Sequence, residues 1–362
     1  MAELFVGLIS GTSADGVDAA LVEFGPTPRL VAAKLEPYPA ELRAELLDFM
    51  QGRYRGDPVD QLLRLDRLLG ERFADLAESL LVSAGVPTNA VTAIGSHGQT
   101  LRHLPPHSTL QVADPNLISA RLGLPVVADF RRMDIAVGGE GAPLVPAFHR
   151  AAFGSDTEAR AIVNIGGIAN VTLLASDGTT SGGDVGPGNA LLDAWCARHT
   201  GAQLDTDGAL AARGKVDAKL LARLRADPYF GRPLPKSTGR ELFNMAWLEA
   251  ALSPALAPAD VQATLAELTA TTIVDALGTA RPARVFVCGG GAHNQHLMRR
   301  LASLLAPVPV ASTASVGLDP DFVEAAAFAW LARETLAGRP GNAPAATGAH
   351  RAAVLGGRFG PP

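Results

Sequence analysis

The chain has 362 residues, which is beyond the ~250–300 residues at which a single core usually divides, so two domains are expected. A hydrophobic fraction of 48% with 19% charged residues excludes an intrinsically disordered or fibrous chain. The formal net charge of -5 argues against a nucleic-acid surface or a polybasic membrane-binding surface.

The two cysteines, Cys196 and Cys288, have neither disulfide-framework nor metal-site spacing. The first apolar run, Leu4–Ile9, is short and lacks a basic flank, and no run approaches the ~20 apolar residues of a membrane span. Together these features predict a soluble, cytoplasmic protein.

In chain order, GLISGTSADGVD at 7–18 lies between two β-type runs, Leu4–Ile9 and Val17–Phe24, and reads as a hairpin. Its tip has two readings. Gly, Ser, Thr and Asp are ordinary turn formers; they also build anion cradles, with Gly11 and Gly16 admitting close backbone approach and Thr12 and Ser13 adding hydroxyl donors.

Asp57 as N-cap, Pro58 at the first helical position and a leucine stripe from Leu62 to Leu80 predict a long core helix, ended by Gly85 and Pro87. Val91–Gly95 reads as a short strand delivering Ser96–Thr100 to the strand end, where ligands of α/β sheets bind. His97 there is either a ligand-facing group or a locally bonded loop histidine. A helix from Asp114 to Leu122 and a strand at Pro125–Ala128 follow, and residues 133–150, rich in glycine and proline, read as a long functional loop.

The second half repeats the first in outline. Arg160–Ile165 and Val171–Ala175 are strands around a glycine tip at Gly166–Asn170, about 155 residues after the first tip. Two such tips favour a duplicated plan in which both grip one polyphosphate.

Asp184 precedes a helix at Ala190–His199. An Asp at such a turn is most often a cap or turn residue; here Pro187, Gly188 and Asn189 can supply the turn and cap, which leaves Asp184 free to point into a cleft and open to a catalytic role as well. The loop Pro228–Asn244 reads either as a plain solvated loop or as one whose Lys236, Arg240 and Asn244 steer an anion or a sugar. Finally, the strand Arg284–Cys288 leads through Gly289, Gly290 and Gly291 into a helix, an arrangement that brings bare backbone against a ligand. The spacing fits neither a Rossmann fingerprint nor a P-loop. A C-terminal helix at Asp321–Leu336 carries Glu324 on an otherwise apolar face, and the last residues read as tail with a strand near Ala352–Leu355.

Three glycine segments on strands, duplicated halves and an acidic residue before a helix resemble the superfamily of acetate and sugar kinases, heat-shock ATPases and actin. Within it, GTSADGVDAALV (11–22), GSHGQTLRH (95–103), ADFRRMDIAVGGEGAPLVPAFH (128–149), NIGGIANVT (164–172), DVGPGNALLDAW (184–195), STGRELFN (237–244), CGGGAHN (288–294) and EAAAFAWLA (324–332) resemble, in order, the anhydro-N-acetylmuramic acid kinase family.

The resemblance implies an α/β fold of two duplicated actin-like (ribonuclease H-like) domains with a central nucleotide cleft, divided as 1–130 plus about 338–362, and 131–337. It implies conversion of 1,6-anhydro-N-acetylmuramic acid, with water, ATP and Mg²⁺, to N-acetylmuramic acid 6-phosphate in cell-wall recycling, by a homodimer with no nucleic-acid or membrane partner. By motif, Gly11, Thr12, Ser13, Ala14, Asp15, Gly16, Val17 and Asp18 form the first phosphate loop, with Asp15 holding Mg²⁺ through water. Gly166, Gly167 and Asn170 belong to the second loop, and Gly289, Gly290 and Gly291 meet the adenosine. Asp184 is the catalytic residue; His97, Gln99, Arg131 and Glu324 face the sugar.

The chain departs from the family pattern at Val185, where Thr is more usual, and at Gly183, where Phe is more usual. Other readings on the same fold are a kinase of another sugar or small acid and a heat-shock-type binding protein. The second reading would need room for a peptide-binding module after the core, and the about 25 residues that follow the last helix make it the less expected one.

Overall fold

The computed structural model describes residues 3–253, 255–278 and 280–361. In chain order it runs β1 (Glu3–Ser10), β2 (Gly16–Phe24), β3 (Pro28–Pro37), α1 (Ala40–Met50), α2 (Pro58–Ala84), β4 (Val91–Leu104), β5 (Ser108–Val112), α3 (Pro115–Leu122), β6 (Val126–Ala128), α4 (Phe130–Ala136) and α5 (Val145–Phe153). There follow β7 (Arg160–Ile165), β8 (Ile168–Leu174), β9 (Thr180–Pro187), α6 (Asn189–Thr200), α7 (Ala218–Arg225), α8 (Met245–Ala251), α9 (Pro258–Leu277), β10 (Arg284–Cys288), α10 (Gln295–Leu305) and β11 (Val310–Ser312). The chain closes with α11 (Val323–Leu336), α12 (Pro344–Thr347) and β12 (Gly357–Phe359).

Two compact units result, Met1–Phe148 with Phe322–Pro362, and His149–Asp321. The first unit's sheet has the order β12-β6-β4-β1-β2-β3, and the second's β11-β10-β7-β8-β9. In the first, β1, β2 and β3 form an antiparallel meander and β4 and β6 add in parallel. In the second, β7, β8 and β9 form the same meander and β10 and β11 add in parallel. That shared strand plan is the actin-like fold, present twice. The first unit adds β5, a hairpin partner of β4, and β12, antiparallel to β6 at the edge.

Local sequence accounts for the principal elements. Asp57 accepts the Val59 and Asp60 N–H groups at the start of α2, and Gly85 closes it in the left-handed conformation at φ 66°. Between these caps, Leu65, Leu69, Phe73, Leu76 and Leu80 are buried against β1, β2 and β4. The second core joins Val163, Ile165, Val171 and Val185 of the sheet to Ile273 and Leu277 of α9 and Leu297 and Leu301 of α10.

α11 lies on bare backbone. Gly7 and Gly95 are paired in register on β1 and β4. A Cβ on Gly7 would stand 1.8 Å from the Ala325 carbonyl oxygen, and one on Gly95 2.0 Å from that of Phe328. This contact assigns α11 to the first unit, and α4 joins that unit too. The boundaries therefore fall at 148/149 and 321/322 rather than at the expected 130/131 and 337/338.

Other expectations shift for equally local reasons. β4 continues through Ser96–Thr100 to Leu104, because β5 supplies a partner for its second half. The segment 133–150 holds the end of α4 and most of α5, leaving only the glycine-rich stretch near 137–144 as loop. Asp184 lies within β9, not in a turn, and the turn into α6 is made at Pro187 and Gly188. The C-terminal strand forms at Gly357–Phe359 instead of Ala352–Leu355, where β6 offers a free edge.

Candidate active site

Each unit carries its own cluster of chemistry-bearing residues. In the first, β1 leaves the sheet at Ser10 and returns at Gly16, and the intervening tip is built around long-range polar contacts. The Gln99 side chain, fully buried, donates from Nε2 to the Gly11 carbonyl at 3.0 Å and to that of Thr100 at 3.1 Å. The Ser10 hydroxyl lies 2.6 Å from both the Gln99 Oε1 and the Gly16 carbonyl, and donates to one of them at a time.

A β-bulge makes this reach possible. Leu8 and Ser10 pair with Ser96 and Gln99, so β4 carries one extra residue there, and Gly98 absorbs it at φ 76°. Ala14 closes the tip at φ 50°, its N–H donating to the Gly11 carbonyl. A Cβ on Gly11 would meet only Ser13 Oγ at 3.8 Å, so the outer side of the tip is open. Thr12, Ser13, Val17 and Asp18 follow the same turn, with Val17 buried and Asp18 opposite Leu35 of β3. Asp15 is exposed and paired with Arg43 of α1 at 2.7 Å.

Beside the tip, His97 and Arg131 form a fixed pair. His97 Nδ1–H donates to the Gly98 carbonyl at 2.9 Å, which leaves Nε2 to accept from Arg131 Nε at 2.8 Å. Burial, then the guanidinium, hold the His97 ring well below the usual histidine range, so it is neutral. Arg131 also donates from Nη1 to the Gly141 carbonyl. Burial pulls Arg131 down to about 10, against the opposing charges of Glu324 and Asp134.

Glu324, in the first turn of α11, keeps water access, yet the protein crowding its carboxyl raises it above the ordinary glutamate range, with Arg131 opposing. Phe328, one turn on, places its ring 4.6 Å from that of His97. His97, Arg131 and Glu324 thus come together. Gln99 does not join them: its amide is bonded to Ser10, Gly11 and Thr100 at the first tip.

Sequence reasoning missed Asp134. Its carboxylate is fully buried and accepts from the Gly141 N–H at 2.9 Å, Asn342 Nδ2 at 2.7 Å and Thr347 Oγ1 at 2.9 Å. It thereby ties the glycine-rich loop beside Arg131 to the C-terminal segment, a contact no local pattern announces.

In the second unit, the Gly166–Gly167 tip is held by backbone. Asn189 N–H donates to the Gly166 carbonyl at 2.8 Å, and the Gly188 and Ala190 N–H groups donate to that of Gly167 at 3.0 and 3.1 Å. The tip's carbonyls are turned into the N-terminus of α6. A Cβ on Gly166 would meet only the Ile168 carbonyl, at 3.7 Å. The third glycine segment lies beside this tip: a Cβ on Gly289 would strike Asn164 Oδ1, one on Gly291 would strike Ile165, and one on Gly290 would stand 3.6 Å from Asn189 Nδ2.

Asn164, Asn170 and Asp184 sit opposite one another across β7, β8 and β9, forming a polar row on one face of the sheet. Asp184 Oδ2 accepts from the Thr238 N–H at 2.9 Å and the Ser237 hydroxyl at 3.2 Å. Its backbone is clamped too, with N–H donating to the Lys236 carbonyl and its own carbonyl accepting from the Tyr229 hydroxyl at 2.8 Å. No hydrogen bond from the described residues reaches Oδ1. Partial burial raises the carboxyl above the usual aspartate range, while Thr238 and Ser237 pull it back. A carboxylate with one oxygen tethered, the other open and a heightened proton affinity has the properties of a general base.

The family model for anhydro-N-acetylmuramic acid kinase matches residues 3–361. An anhydro-N-acetylmuramic acid kinase of Xanthomonas campestris pv. campestris (strain 8004) is 52% identical, the match covering 98% of this chain and 96% of that one. That of Saccharophagus degradans is 49% identical with 99% of each chain covered, and that of Shewanella amazonensis 50% identical with 98% of each. The chain belongs to this family. It is a phosphotransferase, a kinase of cell-wall recycling.

Both departures from the family pattern beside Asp184 have structural reasons. A Cβ on Gly183 would stand 2.7 Å from the Lys236 carbonyl oxygen and 2.9 Å from its nitrogen, so the Lys236 backbone occupies the space of a side chain. Val185 is buried in the core under the sheet. The carboxylate's hydroxyl partner is Ser237 from the facing loop, not the residue that follows it.

Proposed function

We propose that this kinase takes 1,6-anhydro-N-acetylmuramic acid, water and ATP to N-acetylmuramic acid 6-phosphate and ADP, with Asp184 as general base. The tethered, half-open carboxylate of Asp184 is the observation that carries this reading. In the anhydro sugar O6 is an ether oxygen with no proton to remove, so the base acts on water. The water oxygen bonds to C1 as its proton passes to Asp184 Oδ1, and C1–O6 breaks. O6 then takes the γ-phosphoryl group as its bond to the ADP oxygen breaks.

His97, Arg131 and Glu324 are assigned to the sugar and its carboxylate-bearing substituent. Neutral His97 keeps Arg131 oriented, and Arg131 retains donors for an anion. The N–H groups of the Gly11–Asp18 and Gly166–Gly167 tips are assigned to the phosphates, Asn170 to the same ligand, and Gly289–Gly291 to the nucleoside, as bare backbone permits. Mg²⁺ neutralises charge on the triphosphate when bound.

No cluster of three carboxylate, histidine or cysteine side chains occurs among the described residues. Mg²⁺ in such sites takes most of its ligands from phosphate and water, so exposed Asp15 alone suits it. No helix among the described residues is long and apolar enough to cross a membrane. We assign the enzyme to the cytoplasm as a homodimer on the family resemblance, and a sedimentation measurement checks the second part.

Asp184→Asn tests the reading. The variant should fold and bind nucleotide as the parent does, and lose about 10²–10⁴-fold in kcat, the usual span of general-base assistance. Unaltered turnover of the anhydro sugar by Asp184→Asn would sink it. The pH profile supplies a second check: the base works deprotonated and burial raises its pKa, so the acid limb of kcat should lie above the range of an ordinary aspartate.

A further inference from the structure

Arg240 has a position that the assignments above do not use. A Cβ built on Gly167 would lie 2.7 Å from its Nη2 and 2.9 Å from its Nε, so the guanidinium is laid against the Cα of the second tip. It is exposed, and makes no hydrogen bond or close ion pair with any described residue. Its fork of donors is therefore uncommitted.

The same loop, two residues earlier, presents the Thr238 N–H to the Asp184 carboxylate. Two residues of chain span at most about 7 Å. One short turn thus links the residue assigned to the attacking water with a cation lying on a tip assigned to the phosphates. Asp193, half-buried in α6, is near enough to Arg240 for their charges to interact: burial raises its carboxyl to about 6, Arg240 lowers it and Asp205 raises it further. The arrangement backs the guanidinium with negative charge while leaving its outer face to solvent. Lys236, from the same loop, is turned elsewhere, donating to the Tyr229 and Phe230 carbonyls.

We propose that Arg240 binds the terminal phosphoryl group of the nucleoside triphosphate, the group in transfer. The inference rests on the assignment of Gly166–Gly167 to the phosphates and of Asp184 to the base. A phosphate bound at the tip and also near the acceptor is the terminal one, and a planar fork matches its oxygens two at a time. A charge here grows in value as the phosphoryl group loosens from ADP.

The test compares a triphosphate analogue with the diphosphate. Binding of AMPPNP and of ADP, each with Mg²⁺, is measured by titration calorimetry on the parent, Arg240→Ala and Arg240→Lys, with no sugar present. Arg240→Ala should weaken AMPPNP by about 10–100-fold, the range for a lost charge-assisted contact, and leave ADP within about twofold. Arg240→Lys should recover part of the loss, since it keeps the charge without the fork. Gly167→Ala, whose methyl displaces the guanidinium, should show the same discrimination more weakly. Equal losses for both nucleotides, or no loss for AMPPNP, would overturn the proposal.

Because these measurements need no sugar, they separate the two readings. A parent enzyme that discriminates through Arg240 but ignores the anhydro sugar would remove the substrate assignment and leave this one standing. Turnover of the sugar with Arg240-independent discrimination would do the reverse.

Discussion

The two glycine tips share a position in the strand plan and differ in what holds them. The first, Gly11–Gly16, is shaped by side chains from elsewhere: Gln99 reaches it from β4 across a bulge, Ser10 closes it from below, and Arg43 pairs with its one carboxylate. The second, Gly166–Gly167, is held by three backbone N–H groups of residues 188–190, at the turn from β9 into α6. A side-chain scaffold can be altered one residue at a time, whereas a backbone scaffold cannot. The first tip is therefore where substitution should uncouple nucleotide binding from folding most cleanly.

The strands beneath the tips differ as well. Four positions before each tip stand Gly7 and Ile162, paired with Gly95 and Phe286 respectively. In the first unit the glycine pair lets α11 rest on the backbone. In the second, large buried side chains fill the same place, with Phe286 against Phe153 at 5.9 Å between ring centroids.

The largest effect expected from this difference follows Gly7→Ala. Its methyl would lie 1.8 Å from the Ala325 carbonyl oxygen and 2.6 Å from the Ala329 nitrogen, both backbone atoms that cannot rotate aside. A loss of more than about 3 kcal/mol is expected, at the severe end for one methyl. Ile162→Ala, a cavity instead of a clash, should cost about 2–5 kcal/mol. Chemical denaturation measures both, and a Gly7→Ala variant as stable as the parent would deny that α11 lies so close.

Gln99→Leu comes next. It leaves the Gly11 carbonyl and the Ser10 hydroxyl short of a buried partner, at a cost of about 1–3 kcal/mol, and should raise the KM for ATP while kcat with saturating nucleotide falls less. If KM for the sugar rises instead, Gln99 belongs to the acceptor after all.

The contrast between the tips also marks what the sequence makes legible. Glycine tips, caps and leucine stripes are local signals, and from them the first two strands of each meander and α2 can be read, but not the third strands, β3 and β9, which carry no such mark. The support of the first tip is not local: nothing around Gln99 states that its amide spans to Gly11, because a bulge at Gly98 decides where it points. Nor does the short run Val91–Gly95 show that β4 extends to Leu104, since its second half is a strand only by virtue of β5. Asp134 reads as one more helical polar residue until the C-terminal segment returns to bond it. Ser237 and Thr238 were in plain view within a turn-rich loop, but their role depends on Gly183 leaving room for that loop against β9. In each case the missing information is a contact between residues far apart in the chain.

Asp15→Ala should have the smallest effect, and it tests the tip at its most exposed point. The Asp15–Arg43 pair has side chains 63% and 45% exposed, and such pairs contribute about 0–1 kcal/mol. The fold should hardly notice the change. Holding Asp15 away from a cation costs correspondingly little, so Arg43 is no obstacle to the carboxylate turning to a hydrated Mg²⁺. Loss of that carboxylate should raise the Mg²⁺ concentration giving half-maximal rate by severalfold, with the thermal midpoint unchanged. The Mg²⁺ dependence of the rate, read beside the melting curve, decides between two roles. A drop in stability with no change in Mg²⁺ dependence would make Asp15 a turn residue that answers to Arg43 alone, and would remove the first tip's carboxylate from the proposed nucleotide contacts.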